Sequence, residues 1–253
     1  MTIIAVVNQK GGVGKTTTTV NLAAYLAKLG QSVLLVDLDP QANATSGLGI
    51  DKHALQASLY DVLVSGVEAQ TLAQETRYKK LHVLPASPVL AGAEVELTQI
   101  PQRESRLKQA LEGLHYDIIL IDCPPSLGLL TVNGLTAAQY LLIPVQAEYF
   151  ALEGLGQLLT TMQRVKQALN PNLSLLGVVL TMYSARTSLS AAVAHEVEHH
   201  FPDMVCSTVI PRNVRLAEAP SHGKAIIDYD RFSKGARAYK ALAKEVLARV
   251  KTT

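Results

Sequence analysis

Short apolar runs rich in valine, isoleucine and leucine recur along the chain, and between them apolar residues return every three or four positions. Unbroken apolar runs suit strands covered on both faces, and their alternation with helical stretches is the pattern of a parallel sheet. The pattern predicts strands near residues 3–8, 32–38, 81–85, 117–122, 140–145, 175–181 and 205–210. Helices are predicted near 15–29, 103–114, 152–169, 189–200 and 236–250. In the first helix Val20, Ala23, Ala24 and Ala27 form one stripe, and Gly30 stands where helices commonly end. Residues 74–80 read as a polar connection. No repeat or low-complexity tract divides the 253 residues. The expectation is one α/β domain over 1–253, with a mostly parallel sheet of about seven or eight strands and helices on both faces.

The strand at 3–8 leads directly into Gln9-Lys10-Gly11-Gly12-Val13-Gly14-Lys15-Thr16-Thr17 and then into a helix. This is the setting of a phosphate-binding loop, and it makes the chain a P-loop NTPase by expectation. Glycines let successive backbone N–H groups converge on phosphate oxygens, and the following helix adds its positive N-terminal end. Lys15 is placed to reach the β- and γ-phosphates and Thr16 to ligate Mg²⁺, so ATP and Mg²⁺ are the expected ligands. The strict G-x-x-x-x-G-K-[ST] spacing is broken, because its first glycine is Gln9.

Two further segments bring carboxylates to the same edge. The strand at 32–38 ends in Asp37-Leu38-Asp39-Pro40-Gln41, and the one at 117–122 ends in Asp122-Cys123-Pro124-Pro125-Ser126. Ligands of parallel sheets collect where strands end. Asp122 then reads as the Walker B acid that holds Mg²⁺, and 124–129 as a loop that senses the γ-phosphate. The alternative, that one of Asp37 and Asp39 only caps the next helix or turn, is left open by the residues.

Composition adds less. The net charge of +2 hides a division: residues 204–253 hold ten lysines and arginines against four acids, and residues 1–203 hold thirteen against seventeen. Such a basic end can face a polyanion. The two cysteines, Cys123 and Cys206, fit neither a disulfide framework nor a zinc site. No apolar run reaches the length of a membrane span and the first residues carry no basic signal, so a cytoplasmic protein is expected.

Lys10-Gly11-Gly12-Val13-Gly14-Lys15-Thr16 resembles the deviant Walker A box of the ParA/MinD/nitrogenase-iron-protein class, where a second lysine precedes the glycines. Asn8 to Thr17, Leu34 to Gln41 and Ile121 to Gly128 look like the three boxes of chromosomal ParA proteins of the Soj type. So do Ala42 to Gly49, Glu148-Tyr149-Phe150-Ala151-Leu152-Glu153-Gly154-Leu155 and Val209 to Gly223, which extends the resemblance over essentially the whole chain.

That resemblance implies a mechanism. Lys10 would cross a dimer interface to the nucleotide of the other subunit, so that ATP joins two copies. With Lys15 and Asp39 it would form the catalytic set, Asp39 directing the attacking water and Asp37 lying closer to the Mg²⁺ shell with Thr16 and Asp122. Lys10 through Thr17 would hold the nucleotide, and Pro211 and Asn213 would lie against the adenine. Arg186 and Arg215 would contact non-specific double-stranded DNA, with Lys224, Arg231, Lys234, Arg237 and Lys240 as further candidates. The implied partner is a centromere-binding protein of the ParB type that stimulates a slow ATPase, and the implied location is the nucleoid. A MinD-like membrane anchor is not expected, because the last helix offers Leu242, Val246, Leu247 and Val250 without Phe or Trp. A metabolic P-loop ligase stays open as a rival.

Overall fold

The computed structural model describes residues 1–148 and 155–252. Its strands are β1 (Thr2–Val6), β2 (Val33–Asp37), β3 (Gln74–Glu75), β4 (Leu81–Leu84), β5 (Ile118–Asp122), β6 (Tyr140–Gln146) and β7 (Ser174–Thr181). They form one sheet in the order β3-β4-β2-β5-β1-β6-β7, parallel throughout except where β3 runs against β4. The helices are α1 (Lys15–Lys28), α2 (Asn43–Gly47), α3 (Ala69–Leu72), α4 (Leu90–Glu96), α5 (Arg106–Leu111), α6 (Leu129–Ala137), α7 (Leu155–Ala168), α8 (Ser188–His200), α9 (Val214–Glu218), α10 (Ile226–Tyr229) and α11 (Lys234–Thr252).

Side chains of successive strand residues go to opposite faces, so unbroken apolar runs feed two cores at once. Ile3 and Ala5 of β1, Leu34 and Val36 of β2 and Ile119 and Ile121 of β5 join the core that Leu90, Leu107, Leu130, Leu158 and Val193 complete from α4 to α8. Ile4, Val6, Val33, Leu35, Ile118 and Leu120 join the other, closed by Val20, Ala23, Ala24 and Ala27 of α1 and by Tyr239, Leu242 and Val246 of α11. The apolar face of α11 thus packs on the sheet and α1, with Leu247 and Val250 at its margin. Among the described residues no helix is long and apolar enough to cross a membrane.

Three expectations need correcting. Residues 205–210 are no strand: the segment touches β7 through an isolated bridge from Val205 to Val178, and a second bridge, from Pro211 to Tyr183, lies beyond both. The Ser207 and Thr208 N–H groups donate instead to Glu245 of α11, at 2.8 and 2.9 Å, and this diversion breaks the ladder. The connection at 74–80 contains β3, which is too short to show a period. The helix expected at 103–114 is a single tight turn followed by α5, and it stops before Gly113, whose φ of +82° takes the left-handed conformation that ends helices. The helix expected from 152 is described from Leu155, and 149–154 lie outside the described residues.

Candidate functional site

The sheet order places β1 between β5 and β6, with β2 beyond β5, so the ends of β1, β2 and β5 meet at one edge. In the parallel register Asp122 stands beside Val6 on one side and Asp37 on the other. The loop after β1 is fixed at its margins. The Asn8 side-chain amide donates to Pro144 O at 2.7 Å, while Asn8 Oδ1 accepts from Lys10 N at 3.0 Å. On the far side the Thr181 hydroxyl at the end of β7 donates to Val13 O at 2.8 Å.

Between these anchors Gly12 and Gly14 have φ of +76° and +86°, which non-glycine residues rarely adopt. A Cβ on Gly11 or Gly12 would meet nothing within 4 Å, so the loop faces open space. Among the described residues the backbone N–H groups from Gly11 to Thr17 donate to no protein acceptor, and α1 has neither a side-chain cap nor an acid in its first turn. A run of free N–H groups at the positive end of a helix is an anion cradle.

Lys15 is buried beneath this cradle and donates to Lys10 O at 3.2 Å. Burial lowers its pKa, and the Asp122 and Asp39 carboxylates oppose that shift. Lys10 is half-buried, and its ammonium makes no hydrogen bond or ion pair among the described residues. At the broken glycine position, Gln9 has a buried Oε1 without a hydrogen-bond partner.

Asp122 is fully buried. Its Oδ1 accepts from the Thr19 hydroxyl at 2.9 Å, and Oδ2 has no partner. Burial and the neighbouring Asp37 push its pKa well above the usual carboxylate range, against the Thr16 and Thr19 hydroxyls, which favour the charged form. An orphaned, buried carboxylate oxygen is costly unless a cation or donor meets it. Among the described residues no group of three His, Cys, Asp or Glu side chains is arranged to hold a metal. One carboxylate oxygen beside threonine hydroxyls instead fits an ion that keeps water and phosphate oxygens as its other ligands, which is the habit of Mg²⁺.

The other two acids are placed differently. Asp37 Oδ2 accepts from Thr45 N at 2.7 Å and from the Thr45 hydroxyl at 2.6 Å, and Oδ1 accepts from Asp39 N at 3.3 Å. These bonds tie α2 to the end of β2, which is the turn-capping alternative left open by the sequence. Asp37 is fully buried, and burial raises its pKa while Thr45 holds it down. Asp39 Oδ1 caps the next turn through Gln41 N at 2.8 Å, and its charge acts on Lys15. Asp39 therefore both caps and borders the cradle.

Beside Gly14 and Thr17 opens a cavity of about 310 Å³ lined by Met182, Ile210, Pro211, Asn213, Val214 and Tyr239, among others. Pro211 and Asn213 thus come to the loop from far along the chain. Asn213 Oδ1 accepts from Arg215 N at 2.8 Å as the cap of α9, so its side-chain N–H groups are the part left for a ligand. Arg186 is exposed and unpaired among the described residues. Arg215 is paired, with Glu218 at 2.9 Å and Asp230 at 3.7 Å.

Thr19, Thr45, Thr181 and Tyr239 escaped the sequence reading. Only Thr19 left a signal there, one helical turn after Thr16 in the run Thr16-Thr17-Thr18-Thr19.

The family model described as an AAA domain matches residues 1–175. The sporulation initiation inhibitor protein Soj of Bacillus subtilis is 58% identical over 248 residues, covering 97% of this chain and 98% of its own length. The chromosome partitioning protein ParA of Caulobacter vibrioides is 51% identical over 251 residues, covering 98% and 94%. A Mycobacterium smegmatis structure described as cobyrinic acid a,c-diamide synthase with bound ATP analogue and magnesium superposes with a TM-score of 0.87 at 41% identity, over 100% of this chain and 96% of that one. An anion cradle with a buried lysine, an orphaned Walker B carboxylate and likeness to Soj and ParA over nearly the whole chain lead to one conclusion: the chain belongs to the ParA/Soj family of chromosome-partitioning ATPases.

Proposed function

We propose that this chain is a nucleotide-driven partition switch, formed as one domain, which binds ATP with Mg²⁺, dimerises around it, holds DNA in that state and is reset by slow hydrolysis. The observation that carries the reading is the meeting of an open phosphate loop with the unpartnered Asp122 Oδ2 beneath it. The loop N–H groups and Lys15 take the β- and γ-phosphates. Thr16 and Asp122 hold Mg²⁺, which when bound neutralises charge on the phosphate oxygens. The side-chain N–H groups of Asn213 and the face of Pro211 receive the adenine in the 310 Å³ cavity.

Lys10, without a partner among the described residues, reaches the nucleotide of a second copy, and Asp39 at the rim orients the attacking water. With no arginine finger assigned in cis, turnover is slow until a ParB-type partner accelerates it. Arg186 and Arg215 of two joined copies contact DNA together, so several weak phosphate contacts act at once. Arg215 would exchange Glu218 and Asp230 for phosphate, a modest change for exposed ion pairs.

Asp39→Ala and Lys15→Ala separate the steps. With ATP and Mg²⁺, Asp39→Ala should accumulate as a DNA-bound dimer, and Lys15→Ala should remain monomeric and off DNA. Equal behaviour of the two variants in sedimentation and DNA retention would refute the switch. The name of the Mycobacterium relative raises a ligase reading, which predicts ATPase stimulation by small carboxylic acids rather than by DNA with a ParB-type protein.

A further inference from the structure

A groove of about 930 Å³ lies away from the phosphate loop, where the end of α1, the connection from β3 to β4 and the connection from α10 to α11 come together. Lys28, Arg77, Lys79, Lys80 and Arg231 line it, against two acids, Asp228 and Asp230. All five cations are exposed. Lys80 donates to Gly30 O at 2.7 Å, and the Arg231 guanidinium lies 4.7 Å from the centre of the exposed Phe232 ring. Lys28, Arg77 and Lys79 make no hydrogen bond or ion pair among the described residues.

The acids do not neutralise these three. Asp230 pairs with Arg215 at 3.7 Å and accepts from Phe232 N at 3.2 Å. Asp228 faces the Tyr25 and Tyr78 phenols. Unopposed cations in a concave surface focus positive potential. Asp230 lines the groove and pairs with Arg215, so Arg215 of α9 stands at the groove's edge.

We propose that this groove is a second contact for the sugar-phosphate backbone of duplex DNA, continuing the path that begins at Arg215. The inference rests on the DNA reading above and deepens it. Lys28, Arg77 and Lys79 each meet a phosphate, and Arg231 with Phe232 follows Asp230, the residue that pairs with Arg215. A guanidinium and two flexible ammonium groups provide charge without a rigid array of donors for base edges, so the contact is independent of sequence.

The test uses the full chain with ATP and Mg²⁺, on two duplexes of unrelated sequence over a range of salt concentrations. The triple variant Lys28→Ala, Arg77→Ala, Lys79→Ala should flatten the dependence of log affinity on log salt by about 0.9 per lost contact, about 2.7 for each copy of the chain on the DNA, and equally on both duplexes. Lys79→Glu should weaken binding more than Lys79→Ala, and nucleotide affinity should not change. An unaltered salt slope in the triple variant, with binding still weakened by Arg186→Ala plus Arg215→Ala, would overturn the groove while the DNA reading stands. If the arginine pair is equally silent, both fall. Loss of binding to polyglutamate but not to duplex in the triple variant would also overturn the proposal, making the partner an acidic polypeptide.

Discussion

Replacing Thr45 by valine keeps the shape of a fully buried side chain and removes one hydroxyl, which the structure uses twice. That hydroxyl donates to Asp37 Oδ2 at 2.6 Å and accepts from Ala86 N at 3.0 Å. Losing a hydrogen bond to a charged group costs about 1.5–3 kcal/mol, and a buried N–H left unsatisfied costs about 1–3 kcal/mol. The extra buried methyl offsets about 1 kcal/mol. The expected net loss is about 1.5–5 kcal/mol, read from urea unfolding of the nucleotide-free chain at fixed protein concentration. The deficit should also depend on pH. Thr45 favours charged Asp37 against burial, so the variant's Asp37 pKa rises further. The variant therefore loses more stability at pH 8, where Asp37 must be charged, than at pH 5, where a proton relieves it. A loss below about 1 kcal/mol, or a deficit equal at both pH values, would refute the assignment of Asp37 as the anchor of α2.

Burial raises the folded pKa of both Asp37 and Asp122, so the nucleotide-free protein binds more protons than the unfolded chain above about pH 4. Their contribution to stability is full below that pH and is lost as pH climbs through the folded values. Melting temperature without nucleotide should accordingly fall between pH 5 and 8, and Asp122→Asn should flatten that fall; an unchanged slope in the variant would reject the origin given. Gly223 has φ of +59°, and a Cβ there would lie 2.7 Å from Gly49 Cα. Gly223→Ala should thus destabilise by about 1–3 kcal/mol in chemical unfolding, because backbone cannot give way as a flexible side chain does. A loss within experimental error would mean that the two loops are not packed as described.

Much of the site was legible because its chemistry is local. A phosphate loop needs glycines, lysine and threonine in a row between a strand and a helix, so Gly11 to Thr17 announced the cradle. Apolar runs ending in Asp37 and Asp122 likewise placed both acids at strand ends. The unbroken apolar runs, alternating with helical stretches, called for helices on both faces, as the two cores require. Where the reading failed, distant partners had intervened. Residues 205–210 have strand composition, but Glu245 takes the N–H groups that a strand would need. β3 exists only because β4 lies beside it.

Asp37 shows the division most clearly. Sequence put a carboxylate at the end of β2 and could not choose between metal and cap, because either use needs the same residue at the same place. Tertiary structure adds what each acid touches: Thr45 meets Asp37 Oδ2, and Oδ2 of Asp122 is left unmet. Backbone N–H groups and strand ends are properties of a short stretch, so sequence alone determined the loop and the edge that a nucleotide meets. Which acid is satisfied, where Pro211 and Asn213 come to rest and how basic residues from three separate segments share one groove depend on chain folding back across long separations, and only the assembled structure could settle them.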